Sequence, residues 1–382
     1  MSDARTGNVR RLGRRPEFNG LRGVWILAIV LYHATSERFV RGALIGVDMF
    51  FLVSGFLITA LLLDEYSNRG RISLRNFYMR RILRLGPGLV VFLAGCVAIY
   101  FRVHGDLRDL MTRFLLATSL YFANFAESTG HTLYWAHTWT LSAEEQFYLI
   151  WPALLIVLFR CRLSRPQIVA ATVGLALTSA VLRAVMWRYG PMAGDDQFAY
   201  YNPATHADSL LFGCALGQLY AWNLIPSSPR WRNALQGVAL VSACVMVGVT
   251  ALVDPRSAWL YQGGLLLLIV LTCFFFIGCF DDNPIWPFRP LRWAPFVYIG
   301  QISYGLYLWN PVFLFNYPGD ALNPVVGVAL AFAVSIASFH LVEAPALRLK
   351  ARFTTVRHQR PVVVEPAPVD RSSEVTRPAM TT

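Results

Sequence analysis

Apolar residues run along this 382-residue chain in blocks of about 17–25, each long enough to cross a bilayer as a helix. Ten such spans start near Leu21, Ala43, Leu85, Thr140, Ile168, Asp208, Asn233, Trp259, Trp293 and Asn323. They follow one another too closely for two soluble domains. An eleventh block, Arg113 to Phe125, is short and carries Thr118, Ser119 and Asn124. The pattern predicts an all-α integral membrane domain over residues 18–350. A basic segment, 1–17, precedes it. A tail, 351–382, follows, and its PVVVEPAPVD stretch reads as flexible and exposed.

Composition agrees. The chain is 55% hydrophobic and 15% charged, with a mean hydropathy of +0.45, where soluble domains carry nearer a quarter charged residues. A net charge of +12 would suit a nucleic-acid partner, but the arginines cluster in short stretches between apolar blocks. That is the mark of the positive-inside rule, so no nucleic acid is expected. With ten spans and the N-terminus inside, 26 of the 34 Lys/Arg face the cytoplasm, seven lie outside and Arg183 falls within a span. Making Arg113–Phe125 a crossing would turn fourteen of the 26 outward. That stretch is therefore expected to be interfacial or re-entrant on the outer side, with both termini cytoplasmic in a bacterial inner membrane.

Arg10, Arg11, Arg14 and Arg15 before an apolar block resemble a signal peptide, but no small-residue cleavage site follows and Tyr32-His33 closes the block. The first helix is read as retained. The six cysteines lack metal spacing and are expected to form no disulfide.

Ionisable groups inside spans are costly and mark function by default. Depth in the predicted topology places His33, Asp48, Glu144, Glu145, Asp208 and Asn310 toward the outer face. Arg22, Arg80, Arg81, Arg84 and Glu343 fall toward the inner face. Arg22 and His33 are eleven residues apart, close to three helical turns, so they project from one face about 16 Å apart. That matches the reach of a pantetheine arm whose phosphates are held by arginines. His33 then serves as general base toward a hydroxyl, with Asp48 or Glu144 orienting the ring. An acyl-imidazole is the lesser variant. Each group has a bland reading too: arginines anchor helices by the positive-inside rule, and acids favour helix N-termini. These residues alone leave an enzyme and a transporter of an acidic metabolite or lipid nearly tied.

The strings around these positions resemble the membrane acyltransferase-3 family. FNGLRGVWILAIVLYHA is similar to its opening segment, with Arg22 and His33 at its arginine and histidine. IGVDMFFLVSGFLIT, which holds Asp48 and Ser54, resembles its second-span motif. NFYMRRILRLGP is similar to its basic loop, with Arg81 and Arg84 as its arginine pair. WTLSAEEQFYLIWP resembles its fourth-span signature and carries Ser142, Glu144 and Glu145. ISYGLYLWNP, with Tyr304, and LVEAPALRL resemble its last two spans.

The resemblance implies transfer of an acyl group, most often acetyl, from cytoplasmic acyl-CoA to a hydroxyl of a cell-envelope glycan, a glycolipid or a secondary metabolite such as a macrolide. It implies catalysis by His33 and donor binding by Arg22, Arg81 and Arg84. Glu145, Ser142, Ser54 and Tyr304 are further candidates. Acyl-CoA is a substrate here, and no resident cofactor or metal is expected. The sequence departs from the family pattern at Asn310, where histidine is common, and at Asn19, where aspartate is usual. An appended hydrolase-like domain, found in some members, is not expected here. A non-catalytic membrane subunit is the remaining alternative.

Overall fold

The computed structural model describes residues 9–353, apart from 14, 36–37, 191–193, 195, 227, 280, 282–284 and 316–321. Most of the expected tail lies outside the described residues. The elements are all helical: α1 (Pro16–Ala34), α2 (Gly46–Arg69), α3 (Leu74–Tyr100), α4 (Asp106–Ser119), α5 (Ala123–Ser128), α6 (Trp139–Arg160), α7 (Arg165–Tyr189), α8 (Asp196–Tyr201), α9 (Asp208–Ala221), α10 (Pro229–Leu252), α11 (Leu265–Cys279), α12 (Ala294–Gln301), α13 (Ser303–Leu314), α14 (Pro324–Ser338) and α15 (Ala344–Lys350).

Among the described residues, seven stretches are long and apolar enough to cross a membrane, built on α2, α3, α6, α7, α10, α11 and the α14–α15 run. The chain is a multi-pass membrane protein. The other three expected spans are also helical, but each falls short for a physical reason. α1 carries Glu17, Arg22 and His33; α9 has only 14 residues; and the stretch from Trp293 breaks at Ile302 into α12 and α13. The Arg113–Phe125 block divides between α4, of 14 residues, and the six-residue α5. One expectation needs correcting. The basic string is no loop, because α3 begins at Leu74 and holds Arg80, Arg81 and Arg84 inside its first three turns.

Lipid supplies no hydrophobic drive between helices, so close backbone contact through small residues holds them together. α2 packs mainly on α9, and α1 on α12. At the first crossing a β-carbon on Gly55 would meet the Leu210 carbonyl, and one on Gly213 the Leu52 carbonyl. At the second, Gly23 faces the Phe296 carbonyl and Gly300 the Asn19 carbonyl. These two glycine-lined seams seat α2 against α9 and α1 against α12. A buried ion pair links α7 to α9: Arg183 donates to both oxygens of Asp208, at 2.9 and 2.7 Å.

Candidate active site

Two cavities open beside α1. The one toward the Arg22 end of α1, here called inner, is lined by Arg22, Arg81, Arg84, Ser54, Glu144 and Tyr304. The three arginines come from α1 and α3. Among the described residues, neither Arg22 nor Arg84 has a side-chain hydrogen bond or ion pair; Arg81 lies over the Tyr148 ring at 3.8 Å. Half-buried guanidinium groups with free donors are a ready anion site. Arg80 is taken elsewhere, paired with Glu65 at 3.0 Å and donating to the Phe353 carbonyl. Ser54 donates to Glu144 at 2.8 Å, and Tyr304 to the Leu85 carbonyl at 3.1 Å.

The other cavity, toward the His33 end of α1 and here called outer, is wider and holds His33 among Tyr32, Trp139, Tyr200, Tyr201 and Tyr261. His33 sits one residue from the end of α1, on the same unbroken helix as Arg22. Its Nδ1 is 2.5 Å from Asn310 Oδ1. The amide nitrogen of Asn310 donates to the carbonyls of Leu306 and Tyr307. Those carbonyls only accept, which fixes the amide with its oxygen toward the ring. The His33 Nδ1 must then carry the proton, which in a neutral ring makes Nε2 the basic nitrogen.

The expected partners of His33 are elsewhere. Asp48 accepts from His206 Nε2 at 2.9 Å, because α2 turns this face toward the approach to α9 rather than toward α1. Glu144 is not at the outer face. α6 begins at Trp139, so Glu144 lies about 7.5 Å into the helix and lines the inner cavity. Asp208 belongs to the Arg183 pair. Ser142 is buried structure, accepting from the Ala123 backbone N–H and donating to the Thr138 carbonyl. Glu145 lines neither cavity, and its Oε1 has no hydrogen-bond partner among the described residues.

Sequence reasoning missed His206, Thr140 and Tyr307. His206 meets Asp48 and packs edge-on against Trp139 and Tyr200 of the outer cavity wall. A histidine two residues before Asp208, at a span's entrance, was the available signal. Tyr307 had one too: it lies three residues before Asn310, on the same face of α13.

A basic cavity and a histidine-bearing one thus lie along a single helix of a membrane bundle, and the sequence comparisons give the class of protein. The family model described as "Acyltransferase domain" matches residues 15–342, and the chain belongs to that acyltransferase-3 family. It is 31% identical over 353 residues to the peptidoglycan O-acetyltransferase OatA of Listeria monocytogenes, covering 86% of this chain and 55% of that protein. It is 30% identical over 349 residues to YrhL of Bacillus subtilis strain 168, covering 86% and 54%. The chain thus spans about half the length of the curated relatives it matches. No solved structure matches it.

Proposed function

We propose that this chain is a membrane O-acyltransferase that moves an acetyl group from cytoplasmic acyl-CoA to a hydroxyl of a cell-envelope glycan. The family and the name of the OatA relative favour peptidoglycan as that glycan. One observation carries the reading: Arg22 and His33 lie on one helix and open into different cavities, the first basic, the second aromatic. The ten-span topology with both termini cytoplasmic belongs to the same proposal, since it puts the basic cavity on the acyl-CoA side.

The CoA phosphates bind Arg22, Arg81 and Arg84, and the pantetheine arm follows α1 outward. The acceptor enters the outer cavity, whose aromatic faces suit the apolar faces of sugar rings. His33 Nε2 takes the hydroxyl proton as that oxygen attacks the thioester carbonyl. The carbon–sulfur bond breaks, and the imidazolium returns the proton to the departing CoA thiolate. Asn310 holds the ring through Nδ1. Glu144, held by Ser54, tempers the positive charge of the donor cavity.

The test is mass spectrometry of cell-wall glycans from a strain lacking the gene, complemented with wild type or His33→Ala. The acetyl increment should return with wild type and fall by about 10²–10⁴-fold with the variant. Equal increments from both would remove His33 from the chemistry. No increment from wild type would remove the acceptor assignment.

A further inference from the structure

Among the described residues, two line both cavities: Val47, near the start of α2, and Tyr307, on α13. They mark the place where the arginine-lined space and the His33 chamber adjoin. The Tyr307 ring is held in that wall at its tip. Its hydroxyl donates to the His137 carbonyl at 2.6 Å and lies 2.7 Å from the Thr140 hydroxyl. Its backbone carbonyl is held as well, accepting from Asn310 at 3.1 Å. An acyl group that crosses here from the arginine side to the His33 chamber passes an aromatic ring and a β-branched side chain.

From this geometry, and resting on the acyl-transfer reading above, we propose that Tyr307 and Val47 form the acyl-selectivity filter of the enzyme. The opening between them admits a two-carbon acyl thioester and turns back longer chains. The arm behind the acyl group is the same for every acyl-CoA, so the discriminating contact is with the acyl chain alone. The two residues differ in kind. Val47 contributes only bulk, whereas Tyr307 contributes bulk and a position fixed by its hydroxyl. Removing bulk should widen the filter; removing only the hydroxyl should release the ring and leave its size.

The experiment uses the full chain in lipid nanodiscs, with acetyl-CoA or butyryl-CoA as donor. Cell walls from the strain lacking the gene serve as acceptor, and acyl increments on the wall are read by mass spectrometry. Val47→Ala and Tyr307→Leu should each raise the butyryl-to-acetyl ratio at least tenfold. Tyr307→Phe should keep the acetyl preference but raise CoA thiol release without acceptor, because an unpinned ring lets water follow the thioester. Val47→Ala is a small excision and keeps the test open where Tyr307→Leu fails to fold. A wild-type ratio in Val47→Ala, with acetyl transfer intact, overturns the filter and leaves the acyl-transfer reading standing. Wild type that acylates no wall from either donor overturns both.

Discussion

Asn310 holds the His33 ring without lending it charge, since an amide orients an imidazole but does not neutralise the imidazolium. Its contribution is therefore one of aim. Asn310→Leu should lower kcat by about 100-fold, the usual effect of a small misalignment, with the KM for acyl-CoA unchanged; a rise in that KM instead would place Asn310 in donor binding. Glu127, on α5 in the connection before α6, illustrates a different single-residue effect. Burial pushes its carboxyl up from 4.5 to about 7, although Oε1 accepts from the Leu133 backbone N–H at 2.9 Å. A raised carboxyl means that the folded state holds the proton more tightly than the unfolded chain. Stability should thus be highest below about pH 4.5 with respect to this group, and fall as pH rises toward 7. Glu127→Gln should flatten that part of the pH profile of thermal unfolding; an unchanged slope would acquit the residue. Spacing within one helix made Arg22 and His33 legible from the sequence. The Asn310 contact was not, because 277 residues separate the two and only the packing of α13 beside α1 joins them.

At the scale of elements, the positions of Arg22 and His33 on α1, and of Ser54 on α2, depend on how those two helices are seated. The seams with α12 and α9 bring backbone against backbone, so there is no side chain to yield. A β-carbon on Gly300 would lie 1.7 Å from the Asn19 carbonyl. Gly300→Val should destabilise the bundle by about 1–3 kcal/mol or more and reduce the recoverable folded protein. The Arg183–Asp208 pair gives a contrasting case. Removing one partner, as in Asp208→Ala, strands a buried guanidinium and should destabilise by about 3–5 kcal/mol. Replacing both with apolar residues of similar volume should recover most of that, as judged by unfolding in mild detergent. The helices themselves were legible, because apolar length alone defines them. Their interruptions were not. The break at Ile302, the early start of α3 and the depth of Glu144 in α6 are set by packing partners that no local pattern encodes.

For the whole molecule the topology can be read with residues already present. Cys161 is exposed in the short turn between α6 and α7, which the proposed orientation puts in the cytoplasm. Cys244 is exposed too, but on the flank of α10, where lipid covers it. A membrane-impermeant maleimide should label Cys161 only from the cytoplasmic side and leave Cys244 unlabelled until the membrane is dissolved. Labelling of Cys161 from outside would invert the bundle and move the arginine cavity away from any cytoplasmic donor.

The unbroken run of α1 from Arg22 to His33 also makes this helix a ruler. In the proposed reaction its two marks, a phosphate grip at Arg22 and a proton acceptor at His33, are separated by helical rise alone, about 16 Å, and no loop or neighbour can rescale it. A donor is thereby measured as well as recognised. On that proposal an activated acyl group carried directly on a phosphate fits the grip but ends far short of the second mark, so small acyl phosphates should fail as donors by length, before chemistry begins.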